Sequence, residues 1–163
     1  MPRAIVTDRE LALINALDSF LELAAVLHLL CRWHINKNVF SKTKPFFPKP
    51  TKEGNYVVRA PAFTAFLNDW ASLVNAPEES VFWSRLQAFK TSSHPPAAVA
   101  YAVKTWLDPW KEKFVSCFID RHRHFGHTTT SIIEGMHSVM KKFLWSSSGD
   151  LTTVFQRLRT FWC

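Results

Sequence analysis

The order of the first 45 residues constrains this chain most: a short β-branched run, a helix-length stretch, a second apolar run and another helical stretch. Residues 4–7 (AIVT) stop at Asp8 and predict a buried strand. Residues 9–20 predict a helix with Leu13, Leu17, Phe20 and Leu21 on one stripe. Residues 24–31 (AAVLHLLC) form an apolar run of strand length. A second helix is predicted over 33–40, before Pro45, Pro48 and Pro50 break the pattern. This β-α-β-α order implies parallel strands joined by right-handed crossovers. Parallel strands are buried on both faces, which suits their near-continuous apolar character. Two strands alone do not make a stable sheet. The chain therefore reads as one that begins partway through a larger α/β fold.

From residue 61 onward the patterns are helical. Residues 62–74, 77–90 and 96–106 each carry apolar side chains at three-to-four spacing, and prolines punctuate the gaps. Trp70, Trp83, Trp106 and Trp110 are expected in the core of this array, and residues 56–58 (YVV) are the one further strand-like scrap. A helix is predicted over 132–145, with Ile132, Met136, Val139, Met140 and Phe143 on its apolar stripe, and a last helix over 150–162 is opened by Asp150. The expected class is α/β and mostly helical: two parallel strands with helices, carrying an all-α insertion. Its expected parts are residues 1–45, a helical insertion over 46–126, and returning helices over 127–163.

Composition narrows the function. Four glycines in 163 residues exclude a Gly-rich phosphate loop. No apolar run reaches the ~18 residues of a membrane-spanning helix, so no membrane partner is expected. The net charge of +7 favours a polyanionic partner, nucleic acid first. Cationic side chains cluster at Arg32, Lys37, Lys42, Lys44 and Lys49, at Arg121 and Arg123, and at Lys141 and Lys142, with Trp33, Phe40, Phe46, Phe47 and Phe125 interleaved. That pattern suits contact with a DNA backbone plus some stacking; a solvated face is the plainer reading. Cys31, Cys117 and Cys163 are odd in number and widely spaced, unlike a secreted disulfide framework.

Three groups of residues could carry chemistry. Asp8 follows the first strand, where ligands of open α/β sheets collect. Residues 7–10 (TDRE) also fit a capping box, and on these residues alone a cap is the first reading, because caps far outnumber catalytic sites. Glu134 has the same ambiguity, since residues 131–134 (SIIE) fit another capping box; with His137 it also makes a Glu-x-x-His pair, although no second pair accompanies it. Cys31 and His34 form a C-x2-H pair, half of what a closed zinc site needs.

Taken together, residues 5–16 (IVTDRELALINA), 29–38 (LLCRWHINKN) and 125–138 (FGHTTTSIIEGMHS) resemble the Mutator-like element (MULE) transposases, in style the fungal-type members. The resemblance implies an RNase H-like catalytic domain with a D-D-E set of carboxylates. In it Asp8 matches the second aspartate, Glu134 the final glutamate on a helix returning after the insertion, and Cys31 and His34 the C-x2-H signature. It implies two Mg²⁺ (or Mn²⁺) ions about 3.5–4 Å apart that drive in-line attack on phosphate, held by Asp8 and Glu134. It also implies transposon-end and target DNA as partners, a homo-oligomer in the full-length protein, and a nuclear location. Arg32, Lys37, Arg121, Arg123, Lys141 and Lys142 are the expected DNA contacts. The first aspartate of the set is missing from this sequence, so the chain is expected to be inactive by itself. The alternative is a transposon-derived DNA- or protein-binding protein without catalysis.

Overall fold

The computed structural model describes residues 4–53, 56–121, 139, 144 and 150–162. The chain divides into two units, Met1–Thr128 and Thr129–Cys163.

The first unit opens with strand β1 (Ala4–Thr7), helix α1 (Leu11–Ser19), strand β2 (Leu27–Leu30) and helix α2 (Arg32–Thr43). β1 and β2 pair in parallel, with Ala4 opposite Leu27 and Thr7 opposite Leu30. The strand-helix-strand-helix expectation and the parallel pairing are both present. Burial differs from expectation. Leu29, Leu30 and Cys31 are fully buried, but β1 is half-buried at all four positions, because a sheet with two described strands leaves open edges. α1 buries only Ile14. Leu13, Phe20 and Leu21, expected on its inner stripe, are exposed.

A hairpin follows. β3 (Thr51–Glu53) pairs antiparallel with β4 (Tyr56–Val58). The sequence pattern singled out only the second of these strands, since Thr51-Lys52-Glu53 has no apolar member.

The core of the unit is helical. α3 (Pro61–Val74) turns Phe63, Phe66, Trp70, Leu73 and Val74 inward, the three-to-four spacing of one helix face. α4 (Glu79–Lys90) adds Phe82, Leu86 and Phe89. α5 (Pro96–Ala102) runs into a π-helical stretch (Val103–Leu107) and a last turn, α6 (Asp108–Trp110). A short α7 (Ser116–Ile119) is the last described helix of the unit. Prolines at the first position of α3 and α5 fit their missing N–H, which would have no intrahelical partner there. Aromatic rings bind the layers: Phe47 lies 4.9 Å from Phe63, and Phe66 5.4 Å from Phe89. Trp70 and Trp106 are core residues as expected. Trp83 is not; it is half exposed, 5.9 Å below the Lys111 Nζ.

α2 docks on this array through two asparagines. Asn36 Oδ1 accepts from Trp70 Nε1 at 2.9 Å. Asn38 Oδ1 accepts from Tyr101 Oη at 2.6 Å and from Trp106 Nε1 at 3.1 Å. Buried indole and phenol donors need such acceptors, and these bonds set the orientation of α2.

In the second unit, α8 (Leu151–Trp162) begins as its sequence predicts. Asp150 Oδ1 accepts from the Thr153 backbone N–H at 2.7 Å, a side-chain cap. That bond holds the Asp150 carboxyl below its ordinary pKa. The helix predicted over 132–145 lies, save for two positions, outside the described residues.

Candidate functional site at the ends of the parallel strands

The two strands end side by side. The Cys31 backbone N–H donates to the Thr7 carbonyl at 2.7 Å, one step past the last paired residues. Asp8 therefore leaves β1 next to the point where Cys31 leaves β2 and α2 begins.

Asp8 does not cap the helix that follows. α1 starts at Leu11, its N-cap is Glu10, and no side chain bonds to the cap. The capping box suggested by residues 7–10 is absent because the helix begins too late for Asp8 to reach its first free N–H groups. The Asp8 carboxylate is exposed and makes no hydrogen bond or ion pair with a described residue. The hydroxyl of Thr7 donates to the Asp8 carbonyl at 2.9 Å.

The next residue fixes the loop. Arg9 Nη1 donates to the Thr105 carbonyl at 3.3 Å, and its guanidinium lies 4.4 Å from the Trp106 ring centroid. Pro109 has no N–H to give the carbonyl four residues before it, which is Thr105. The π-helical stretch and the proline thus leave an acceptor that Arg9 takes. Arg9 carried no functional signal in the sequence beyond standing next to Asp8.

Behind the loop, Thr7 Oγ1 and His28 Nε2 are 2.7 Å apart. His28 Nδ1 is buried without a hydrogen-bond partner among the described residues. Burial lowers the His28 pKa from its ordinary value, Lys113 lowers it further, and Asp18 opposes them. A groove of about 490 Å³ opens here, lined by His28, Asp18, Glu79, Glu112, Lys113 and Arg121 among others.

Cys31 is fully buried at the N-cap of α2. His34 is half-buried one turn later, its ring 4.8 Å from Trp33 and edge-on to it. Among the described residues no three His, Cys, Asp or Glu side chains gather as a metal-binding group. Cys31 and Cys117 are buried and neither forms a disulfide; burial foremost pushes the Cys117 thiol pKa up.

Arg32 is committed to the fold. Its Nε donates to the Phe114 carbonyl at 2.6 Å, Nη1 to Asn75 Oδ1 at 3.2 Å, and Nη2 to the Val74 carbonyl at 3.3 Å and to Ser116 Oγ at 2.7 Å. Burial lowers its pKa, with Asp120 opposing. A phosphate contact at Arg32 would have to displace these bonds. Lys37 is exposed, its Nζ 4.6 Å from the Trp33 ring. Arg121 pairs with Glu79 at 2.6 Å. Arg123, Glu134, Lys141 and Lys142 lie outside the described residues.

Asp8 offers hard carboxylate oxygens, the donor type that Mg²⁺ and Mn²⁺ accept. The buried thiol of Cys31 is a soft donor and suits neither ion. No helix among the described residues is long and apolar enough to cross a membrane. No family model, curated protein or solved structure matches this chain.

Proposed function

We propose that the chain is part of the catalytic domain of a Mutator-like transposase, an enzyme class that cleaves and rejoins DNA in transposition. One observation carries the reading: an exposed carboxylate, Asp8, without a partner among the described residues, at the C-terminal edge of two parallel strands. Open α/β sheets place their ligands at that edge. Among the described residues Asp8 caps no helix and pairs with no side chain.

In this reading Asp8 holds a divalent cation, Mg²⁺ or Mn²⁺, and Glu134 is the second acid that the resemblance names. Such ions, when bound, polarise phosphate and lower the pKa of a bound water or hydroxyl. The chain's own contribution is positioning. Arg9 anchors the loop through Thr105 and Trp106, and the Cys31–Thr7 bond keeps the two strand ends together. Cys31 and His34 order the floor beneath the acid rather than ligating metal. DNA is the proposed partner, supported by the net charge of +7, and the nucleus the proposed location.

Calorimetric titration with Mn²⁺ tests the reading. Wild-type chain binds Mn²⁺, and Asp8→Asn loses that binding while its unfolding midpoint stays in place. Undiminished Mn²⁺ binding by Asp8→Asn would overturn it. The second reading, a transposon-derived protein that binds DNA without catalysis, is favoured if DNA binding persists and Mn²⁺ binding ignores Asp8. The sequence holds two of the three acids that the resemblance implies, so plasmid DNA is expected to stay intact with this chain alone.

A further inference from the structure

A second surface stands apart from the strand ends. Residues 42–59 carry Lys42, Lys44, Lys49, Lys52 and Arg59 against one acid, Glu53, so this short stretch concentrates much of the chain's net charge of +7. The end of α2, the proline-rich segment after it and the start of α3 enclose a cavity of about 200 Å³. Its walls are Phe40, Phe63, Pro48 and Pro50, and its cations are Lys44 and Arg59. The Arg59 guanidinium lies 5.0 Å from the Phe40 ring centroid and 5.9 Å from that of Phe63. Lys44 and Arg59 are both exposed and neither forms an ion pair with a described residue. Two large rings nearby also face outward: Tyr56 is 79% and Phe46 46% exposed.

We infer that this surface binds single-stranded nucleic acid. Lys44 and Arg59 hold backbone phosphates, and the exposed rings of Phe46 and Tyr56 receive bases. The charge is of the right sign, and neither Lys44 nor Arg59 pairs with a described acid. A guanidinium stacked on rings keeps its planar set of N–H donors for phosphate oxygens. Exposed rings beside a cationic track are the means by which proteins hold unpaired bases, and duplex bases are already stacked on each other. The inference does not rest on the carboxylate reading of Asp8, which concerns other residues.

Fluorescence anisotropy with a labelled oligothymidylate tests it. Wild-type chain binds, and affinity falls as salt rises. The double variant Lys44→Gln/Arg59→Gln binds about tenfold more weakly, and its salt slope is shallower by about 1.4, two single-strand phosphates' worth. Tyr56→Ala weakens binding at least about fivefold without changing that slope. Lys90→Gln/Lys104→Gln, which removes the same charge around a different cavity, binds as wild type. Asp8→Asn also binds as wild type, which separates this inference from the metal reading. Circular dichroism confirms that each variant is folded. Equal affinity of the Lys44/Arg59 variant and wild type would overturn the inference. So would an equal loss in the Lys90/Lys104 control, equal affinity for duplex DNA, or a Lys44- and Arg59-dependent attachment to anionic vesicles without oligonucleotide binding.

Discussion

The Arg9 guanidinium lies 4.4 Å from the centre of the Trp106 ring and donates to the neighbouring Thr105 carbonyl. This contact joins the loop that presents Asp8 to the π-helical stretch of the helical core. Its chemistry follows from Pro109, which withholds a helix N–H from Thr105. Arg9→Ala is expected to cost about 1 kcal/mol, the sum of an exposed cation–π contact and one hydrogen bond. Chemical denaturation measures that cost. Hydrogen exchange in residues 7–10 should accelerate more than in α3, and Mn²⁺ affinity should fall with the fold intact. A variant that loses stability evenly across the unit would make Arg9 structural only.

Arg32 joins α2 to the end of α3 and to the segment before α7. Its planar donor fork reaches Phe114, Asn75, Val74 and Ser116 together, which one lysine ammonium cannot do. Arg32→Lys is therefore expected to destabilise the chain by about 2 kcal/mol, although it keeps the charge. Unfolding in urea measures this. If Arg32→Lys kept full stability but weakened DNA binding, Arg32 would be a nucleic-acid contact instead.

His28 gives the fold an acid-sensitive limb. Its folded pKa lies below the ordinary 6.5, burial being the first cause. Above 6.5 the imidazole is neutral in both states and its contribution is complete. As pH falls below 6.5 the unfolded chain takes up a proton that the folded chain resists, so stability declines until the folded pKa is passed. Melting temperatures measured across this window should drop toward acid, and His28→Gln should flatten that part of the profile. An unchanged profile in His28→Gln would contradict the assignment.

Much of this architecture was legible because its determinants are local. The β-branched run at residues 4–7 and the apolar run ending at Cys31 specify two strands, and their connecting helix makes them parallel. α3 and α4 begin and end within two residues of the pattern, and Asp150 caps α8 as its type and place suggest. The rest depends on partners distant in the chain. Nothing near Arg32 reveals that Phe114 and Ser116 will take its donors. The stripe of Leu13, Phe20 and Leu21 is helical in spacing, but the chain packs α1 through Ile14. Trp83 has the composition of a core residue and lies at the surface. Asp8 was visible as an acid at a strand end. Its release from capping depended on where α1 starts, which local sequence left open. The role of Arg9 is not legible locally, because it arises from a π-helical stretch more than ninety positions on.

Iron-mediated backbone cleavage tests most directly whether the edge beside Asp8 is a cation site. Fe²⁺ bound in place of Mg²⁺ reduces added hydrogen peroxide to hydroxide and a hydroxyl radical that cuts the chain around the metal, and ascorbate returns the resulting Fe³⁺ to Fe²⁺. The account predicts cuts near residue 8 and near residue 31, where the two strands end together, suppressed by excess Mg²⁺ and absent in Asp8→Asn. Cuts confined to other segments, or the same cuts in Asp8→Asn, would contradict it.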